Sequence, residues 1–305
     1  MWKAIVPGVI ALVTLGLSLV SGEVIKRQGE PKQVLALGQT AETAETPRAA
    51  GPAASEAGAA RAATGERAGR SVALVIGNAA YPDAGLPLAQ PVNNAQALAG
   101  ALKGQGFDVE IGEDLTRSAM ERTFEAFKNR VQPGSVALIF FSGFGIQAGR
   151  QTYLMPVNVQ IWNEADVRRS GVSIEPLLAD IAAKGASAKL VVLDASRRNP
   201  FERRFRGASA GLGAVQAPDD TLVISAAAPG KVVSDGDSEI SPLVDELIAQ
   251  IRVPGASAET VFNRTRLAVS QGTRHEQVPW VSSSLVQDFT FAAAGEPAKA
   301  KQSAR

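Results

Sequence analysis

The sequence predicts an α/β fold with a mostly parallel six-stranded sheet and helices on both of its faces. Short apolar runs alternate along the chain with segments of helical periodicity, as they do in sheets built from strand–helix–strand units. The apolar runs are nearly continuous, which is typical of parallel strands buried on both faces. Two of these runs end abruptly in small and polar residues. In sheets of this class, the loops at the carboxyl ends of the strands usually carry the functional site.

The apolar runs predict the strands. The first run, SVALVIG, has no charged residue and only one hydroxyl, so it fits a strand that is buried on both sides. A further short extended piece is predicted at residues 153–157. The six predicted strands are residues 71–77, 107–111, 135–141, 189–194, 221–226 and 286–291, the last of which closes the sheet.

Five helices are predicted from helical periodicity and from their capping residues. Asn93 is a predicted N-cap, and Ser118 forms a predicted capping box with Glu121. Ser241 is followed by proline, which is favoured at the first helical position, and Ser257 caps the last helix. The predicted helices are residues 93–104, 118–132, 173–183, 241–251 and 257–271.

The two ends of the chain are predicted to lie outside the folded domain, which spans residues 70–291. In residues 1–22, Lys3 is followed by a long uncharged run that fits both a cleaved signal peptide and a signal anchor. Either one would export the body of the protein, which we expect in the periplasm of a bacterium. Residues 23–69 are rich in Ala and Gly with scattered Pro, and predict a flexible linker. Residues 292–305 predict a disordered tail.

The composition excludes several classes of function. The chain has no cysteine, so it can form neither a disulfide, nor a thiolate metal site, nor a cysteine nucleophile. A single histidine excludes a multi-histidine metal site. With 31 basic and 30 acidic residues the formal net charge is +1, and aromatic residues make up 5% of the chain. Neither the charge nor the aromatic content favours a nucleic-acid partner.

Two strand ends carry the residues that could form a site. One strand reads KLVVLD and continues as ASRRNPF, residues 195–201; the other reads SVALIFF and continues as SGFG, residues 142–145. Together with VALVIGN at the first strand, they resemble the caspase-like peptidases of bacteria, the metacaspase and orthocaspase type. Shorter matching pieces are PVNNA, YLMP, SPL and VPWVSS. The resemblance covers residues 70–291 and implies a large-subunit-like part at 70–206 and a small-subunit-like part at 207–291.

The resemblance also implies which positions would be catalytic. In this family the upstream strand ends in SGHG, whose His is the general base, and the downstream strand ends in DxC, whose Cys is the nucleophile. Here Phe144 stands at the His position and Ser196 at the Cys position, whereas Gly143 and Gly145 of the supporting turn match. A phenyl ring cannot accept a proton, and a serine hydroxyl depends on an adjacent base. We therefore expect no catalytic residues at this degenerate dyad.

A substrate-pocket-like pair of positions follows from the same resemblance. Metacaspases place acidic residues under a basic P1 side chain, and the matching positions here hold Asp194 and Asn94. One carboxylate can still bind a guanidinium group through both oxygens. Alternatively, Asp194 is satisfied within the chain, by backbone amides or by Arg197. The sequence leaves both alternatives open.

Other candidate sites are weaker. His275 lies in a polar stretch to which the resemblance assigns no role, and a surface loop is expected there. Gly143, Gly145 and Gly149 follow a strand, but their spacing does not fit a phosphate-binding loop. Asn158 has few acidic neighbours for calcium. We predict no metal and no cofactor.

Three hypotheses for the function remain. In the first, which we favour, the protein is an exported pseudopeptidase that binds a peptide or protein partner in the degenerate substrate groove, with the membrane as a further partner if the N-terminal segment is uncleaved. In the second, it is a weak serine-type hydrolase that uses Ser196, which requires a base within about 3.2 Å of the hydroxyl. In the third, it is a structural module whose groove is closed by Phe144. An open pocket lined by Asp194 would favour the first hypothesis over the third.

Overall fold

The computed structural model describes residues 70–84, 87–201, 211–234 and 236–291. The predicted signal segment at residues 1–22, the linker at 23–69 and the tail at 292–305 all lie outside these ranges. Among the helices in the described ranges, none is both long enough and apolar enough to cross a bilayer.

The predicted six-stranded, mostly parallel sheet is confirmed. Its strand order is β2-β1-β3-β7-β8-β9, with parallel pairing up to β8 and an antiparallel last strand. A small second sheet of order β4-β5-β6 lies outside it. The strands are β1 Ser71–Gly77, β2 Asp108–Glu113, β3 Val136–Ser142, β4 Gly145–Ala148, β5 Gln151–Leu154, β6 Val172–Ser173, β7 Ala188–Asp194, β8 Thr221–Ser225 and β9 Trp280–Ser283.

Helices cover both faces of the main sheet, as predicted. They are α1 Pro91–Gly104, α2 Arg117–Arg130, α3 Glu164–Ser170, α4 Ile174–Ala183, α5 Pro242–Ile251 and α6 Ala258–Gly272. Successive strand residues point to opposite faces, so Val75 of β1 packs in the core shared with α1, α5 and α6. Its neighbour Ile76 packs in the core shared with α2 and α4. This burial on both sides explains why the strand sequences are apolar without alternation.

The predicted sixth strand was wrong in position. The edge strand is β9, whereas residues 286–291 form no ladder in the sheet. Val286 is 85% exposed, and Phe289 and Phe291 pack against Phe107, with ring centroids 5.9 and 6.0 Å away. The apolar alternation of this segment therefore reflects an aromatic cluster rather than a strand.

Two predicted helix starts were also wrong. Helix α1 begins at Pro91, and the side chain of Asn93 donates to the carbonyl of Glu239 instead of capping the helix. Helix α2 is capped by Thr116, whose hydroxyl accepts from the amide of Ala119. In both cases the helix starts one or two residues earlier than the expected cap. The predicted caps Ser241 and Ser257 are confirmed by their bonds to the third residue of each helix.

Candidate functional site

The carboxyl ends of three parallel strands lie level with one another. In the register of the sheet Gly77 of β1 is opposite Ser142 of β3, and Ser142 is opposite Asp194 of β7. The loops that leave these strands therefore start side by side at one edge of the sheet. The two motifs that are far apart in the sequence become neighbours in the fold.

The supporting turn keeps the two loops in close contact beyond the strand ends. The amide of Gly145 donates to the carbonyl of Ala195 at 3.2 Å. A Cβ atom at Gly145 would lie 3.1 Å from the Cβ of Ala195 and 2.7 Å from Leu212 Cδ2. At Gly143, which has a φ of +156°, a Cβ would lie 2.6 Å from the hydroxyl oxygen of Tyr81. Both positions need glycine because backbone and side chains approach too closely for any Cβ.

Asp194 is buried and is fully engaged within the chain. Its side chain lies at the end of β7, and the residue is 1% exposed. The Oδ2 atom accepts from Asn94 Nδ2 at 2.9 Å, from Ser142 Oγ at 3.0 Å and from Arg197 Nη2 at 3.3 Å. The structure thus brings the two pocket-like residues into direct contact. Of the two alternatives for Asp194, it shows the one in which the chain itself satisfies the carboxylate, through Arg197.

Arg197 ties the two strand ends together. Arg197 is 4% exposed, and its guanidinium group forms a buried ion pair with the carboxylate of Asp194. Nη1 donates to the carbonyl of Gly143 at 3.1 Å and also to the backbone carbonyl of Asp194. The planar guanidinium suits this task because its N–H groups point in fixed directions toward several acceptors. The loop that carries Ser196 is held against β3 by these bonds.

Asn94 occupies the centre of a hydrogen-bond network between helices and sheet. Its Oδ1 accepts from the amide of Ser241, the N-cap of α5, at 2.8 Å, while its Nδ2 donates to Asp194 and to Ser142 Oγ. An amide group can donate and accept at once, whereas an ionised carboxylate can only accept. Asparagine therefore fits beside Asp194 where a second carboxylate would face a like charge.

Phe144 is held in an aromatic cluster at the start of β4. It is 7% exposed, and its ring meets the ring of Tyr81 edge to face, with centroids 4.8 Å apart. Its amide donates to the Tyr81 hydroxyl at 3.1 Å, and that hydroxyl donates to the carbonyl of Met155 at 2.9 Å. Burial raises the pKa of Tyr81 well above its ordinary value. The phenol next to Phe144 therefore stays protonated at neutral pH and cannot act as a base.

Ser196 lies in the loop after β7, where no described residue is within hydrogen-bond distance of its hydroxyl to act as a base. The residue is 1% exposed, and its Oγ has no hydrogen-bond partner in the part of the chain that the structure describes. Its backbone is anchored, because its carbonyl accepts from the amide of Val233 at 2.8 Å. A buried hydroxyl without a partner is unusual in a native protein. The arrangement gives this serine neither activation nor access to solvent.

His275 is placed in the turn after α6. The residue is exposed, and its Nδ1 lies 2.8 Å from Ser270 Oγ. No hydrogen bond joins it to the strand-end residues within the described ranges. The same ranges contain no group of three His, Asp or Glu side chains placed to hold a metal ion.

Two residues of this site were missed by sequence reasoning. Asn78 directly follows β1 and is fully buried; its Oδ1 accepts from the amide of Leu115 and its Nδ2 donates to the carbonyl of Met155. The second missed residue is Tyr81, whose hydroxyl accepts from the amide of Phe144. A polar residue at the end of the first strand was the available signal for Asn78, whereas nothing in the sequence distinguishes Tyr81 from an ordinary loop tyrosine.

Comparison with protein-family models identifies a family for the folded domain. Residues 70–290 match the family model of the caspase domain, which accounts for most of the chain. No curated protein matches the chain.

Proposed function

The chain belongs to the caspase-domain family, and from this premise we propose that it is a catalytically inactive member that acts by binding a protein partner. The observation on which the proposal rests is the environment of the Ser196 hydroxyl. Its hydroxyl is buried and has no hydrogen-bond partner among the described residues, and the neighbouring strand end presents Phe144 where a base would be needed. The domain matches the family in sequence, and we infer that it lacks the family's reacting groups.

The chemistry of acyl transfer supports the same conclusion. A serine becomes a nucleophile when a base within hydrogen-bond distance removes its proton. Phe144 has no atom that can do so, and burial keeps Tyr81 protonated by raising its pKa. No observation on this molecule favours the serine-hydrolase hypothesis over the binding hypothesis.

We expect the purified protein to show no cleavage of peptide reporters that end in Arg, Lys or Asp. Loss of nucleophile and base from a triad lowers kcat by roughly six orders of magnitude, which places any turnover below the buffer background. The measurement is fluorogenic cleavage at neutral pH, with Ser196→Ala as the matched variant and an active peptidase as the positive control. Turnover that disappears in Ser196→Ala would overturn the proposal in favour of a serine hydrolase.

Asp194 is 1% exposed and does not line an open pocket, so the structure gives the binding hypothesis no support at this residue. We therefore place the partner at a different surface, a small cleft at β8 and β9, next to β7 in the sheet. Trp280 begins β9 and is 43% exposed, and it lines this cleft with Val215, Val223 and Pro229. These lining residues carry no charge. We propose that an extended peptide segment of a protein partner packs an apolar side chain against the exposed face of Trp280.

The cellular location forms part of the proposal. Residues 1–22 have the composition of an export signal, and residues 23–69 that of a tether. We propose that the domain faces the periplasm, either anchored in the inner membrane by an uncleaved signal or released from it. Its partner is then a periplasmic or envelope protein, and we expect no nucleic-acid partner.

The partner should be captured from the periplasmic and membrane fractions of the native host, and not from its cytoplasm, by the tagged full-length chain. Truncating a central interface tryptophan typically costs about 2 kcal/mol or more, or roughly thirtyfold in affinity, so Trp280→Ala should abolish capture. Leu267→Ala is the matched control, because Leu267 is a 57% exposed apolar residue on α6. Capture that survives Trp280→Ala, or fails equally in Leu267→Ala, contradicts a site at this cleft.

A further inference from the structure

We propose that the groove between α2 and α4 is a second docking surface of the domain, and that it takes a basic side chain, Lys or Arg, from an extended segment of a protein partner. This groove shares no lining residue with the cleft beside Trp280. The inference therefore goes beyond the proposed function and does not depend on it.

The groove has an apolar floor and the size of one side chain. The helices α2 and α4, together with β6, line an open cavity of about 150 Å³. Phe124 and Leu177 form its floor, since each is 4% exposed and belongs to the core beneath the helices. Val172 and Pro176 line it as well. Pockets for drug-sized ligands usually measure roughly 300 Å³ or more, so this cavity suits a single side chain better than a small-molecule ligand.

The polar lining of the groove carries more negative than positive charge. It has three carboxylates, those of Glu121, Glu125 and Asp180, and one ammonium group, that of Lys128. Lys128 Nζ lies 2.5 Å from Glu125 Oε1 and 2.9 Å from Asp180 Oδ2. The hydrogen bond to Glu125, followed by the one to Asp180, raises the pKa of Lys128. A raised lysine pKa is what an excess of neighbouring carboxylates produces.

The three carboxylates are open to a further cation from solvent. The side chains of Glu121, Glu125 and Asp180 are 49%, 67% and 55% accessible, whereas that of Lys128 is 15% accessible. An ionised carboxylate can accept about four hydrogen bonds, so the bonds to Lys128, and that from Arg117 to Glu121, leave acceptor positions unused. A cation bound at this depth stays partly hydrated, and its binding avoids the desolvation cost of a fully buried charge.

The apolar floor and the charge together select a side chain with an apolar stem and a cationic end. Lys and Arg side chains cover apolar surface with their methylene groups and keep the charged group in water. In the groove the stem would lie on Phe124, Leu177 and Pro176, and the charged group would reach Glu121 and Glu125. An acidic side chain would be repelled, and an uncharged one would gain nothing from the carboxylates.

The test is the binding of a fluorescein-labelled peptide, Gly-Ser-Leu-Arg-Leu-Ser-Gly, to the full-length protein, followed by fluorescence anisotropy at low salt. We expect saturable binding that weakens at least about fivefold in the double variant Glu121→Gln, Glu125→Gln, because a single exposed ion pair contributes up to a factor of about five. Raising the ionic strength should weaken the binding as well, since exposed charges are screened by salt.

Two controls separate the groove from general electrostatic attraction. A peptide with citrulline in place of arginine has nearly the same shape without the charge, and it should bind at least about fivefold more weakly. The double variant Glu113→Gln, Glu276→Gln removes two exposed carboxylates that do not line the groove, so it changes the net charge equally and should bind the arginine peptide as the wild-type protein does. All four glutamates are exposed, so both double variants should fold.

The outcomes decide between the alternatives. Binding that is weakened by the groove variant and by citrulline, but not by the control variant, supports the docking surface. Absence of binding, equal binding of both peptides, or equal losses in the two double variants overturns it. A dimer of the protein that dissociates in Glu121→Gln, Glu125→Gln would assign the groove to a second copy of the chain and overturn the partner proposed. Each of these failures leaves the proposed function intact, because that function rests on Phe144 and Ser196.

Discussion

Asp194→Ala should lower the free energy of unfolding by about 3–5 kcal/mol, because breaking a buried ion pair from one side leaves the other charge uncompensated. In this variant the Arg197 guanidinium, 4% exposed, would lose the Asp194 carboxylate and keep its bond to the carbonyl of Gly143. Asn94 Nδ2 and Ser142 Oγ would lose the acceptor that they share. The measurement is equilibrium unfolding in urea followed by circular dichroism. Urea is preferred over guanidinium chloride because it is uncharged and does not screen the ion pair.

Two further variants show whether the loss comes from the buried charge. Asp180→Ala removes an aspartate whose ion pair with Lys128 is exposed, its side chain being 55% accessible, and such pairs contribute about 0–1 kcal/mol. The double variant Asp194→Asn, Arg197→Met removes both buried charges and should recover much of the stability lost in Asp194→Ala. An Asp194→Ala loss no greater than that of Asp180→Ala would show that the network adds little to folding.

The part of the fold that was predictable from sequence is the part controlled by burial on both faces. β1, β3 and β7 are apolar along their whole length because helices cover both sides of the sheet. Such runs have few alternative structures, and their order along the chain with intervening helices restricts the topology. The level strand ends then followed from parallel pairing.

The elements that were missed are short and depend on their surroundings. β4 was missed, whereas β5 was predicted in part, because the extended piece expected at residues 153–157 overlaps it. The two strands have four residues each and pair with each other beside the aromatic cluster around Tyr81 and Phe144. Segments of this length carry too little periodicity to identify a strand. The edge strand β9 was misplaced for a related reason. Aromatic alternation at residues 286–291 resembles a strand, but the rings of Phe289 and Phe291 pack against Phe107.

The residues of the candidate site also fall into those that the sequence predicted and those whose contacts depend on the tertiary structure. Asp194 was identifiable because it ends a predicted strand, whereas Phe144 and Ser196 were identified because the residues after two predicted strands resemble motifs of the family. The direction of the Arg197 side chain was not identifiable, because it depends on the position of Gly143 more than fifty residues earlier. The sequence therefore indicated which side chains could lie close together at the strand ends. Only the tertiary structure shows that Arg197 of the same chain binds the Asp194 carboxylate.

Restoring the dyad is expected to restore reactivity at this site. The chain has no cysteine, so Ser196→Cys introduces a single thiol that reagents can report without background. Alone, this thiol should react slowly with iodoacetamide, because Ser196 is 1% exposed and has no base among its described neighbours. Adding Phe144→His supplies an imidazole at the adjacent strand end. Because nucleophile and base act as a unit, we expect the double variant to react at least ~10-fold faster at neutral pH than Ser196→Cys.

A matched control separates the base from the loss of packing. Phe144 is buried against Tyr81, so replacing it costs stability and loosens the site by itself. Phe144→Leu with Ser196→Cys removes the same ring without adding a base, and its thiol should react no faster than that of Ser196→Cys. All three variants must first show the cooperative unfolding of the native protein. Equal rates in the two double variants would mean that side chains 144 and 196 point apart, and that the shared backbone frame no longer brings their reactive atoms together.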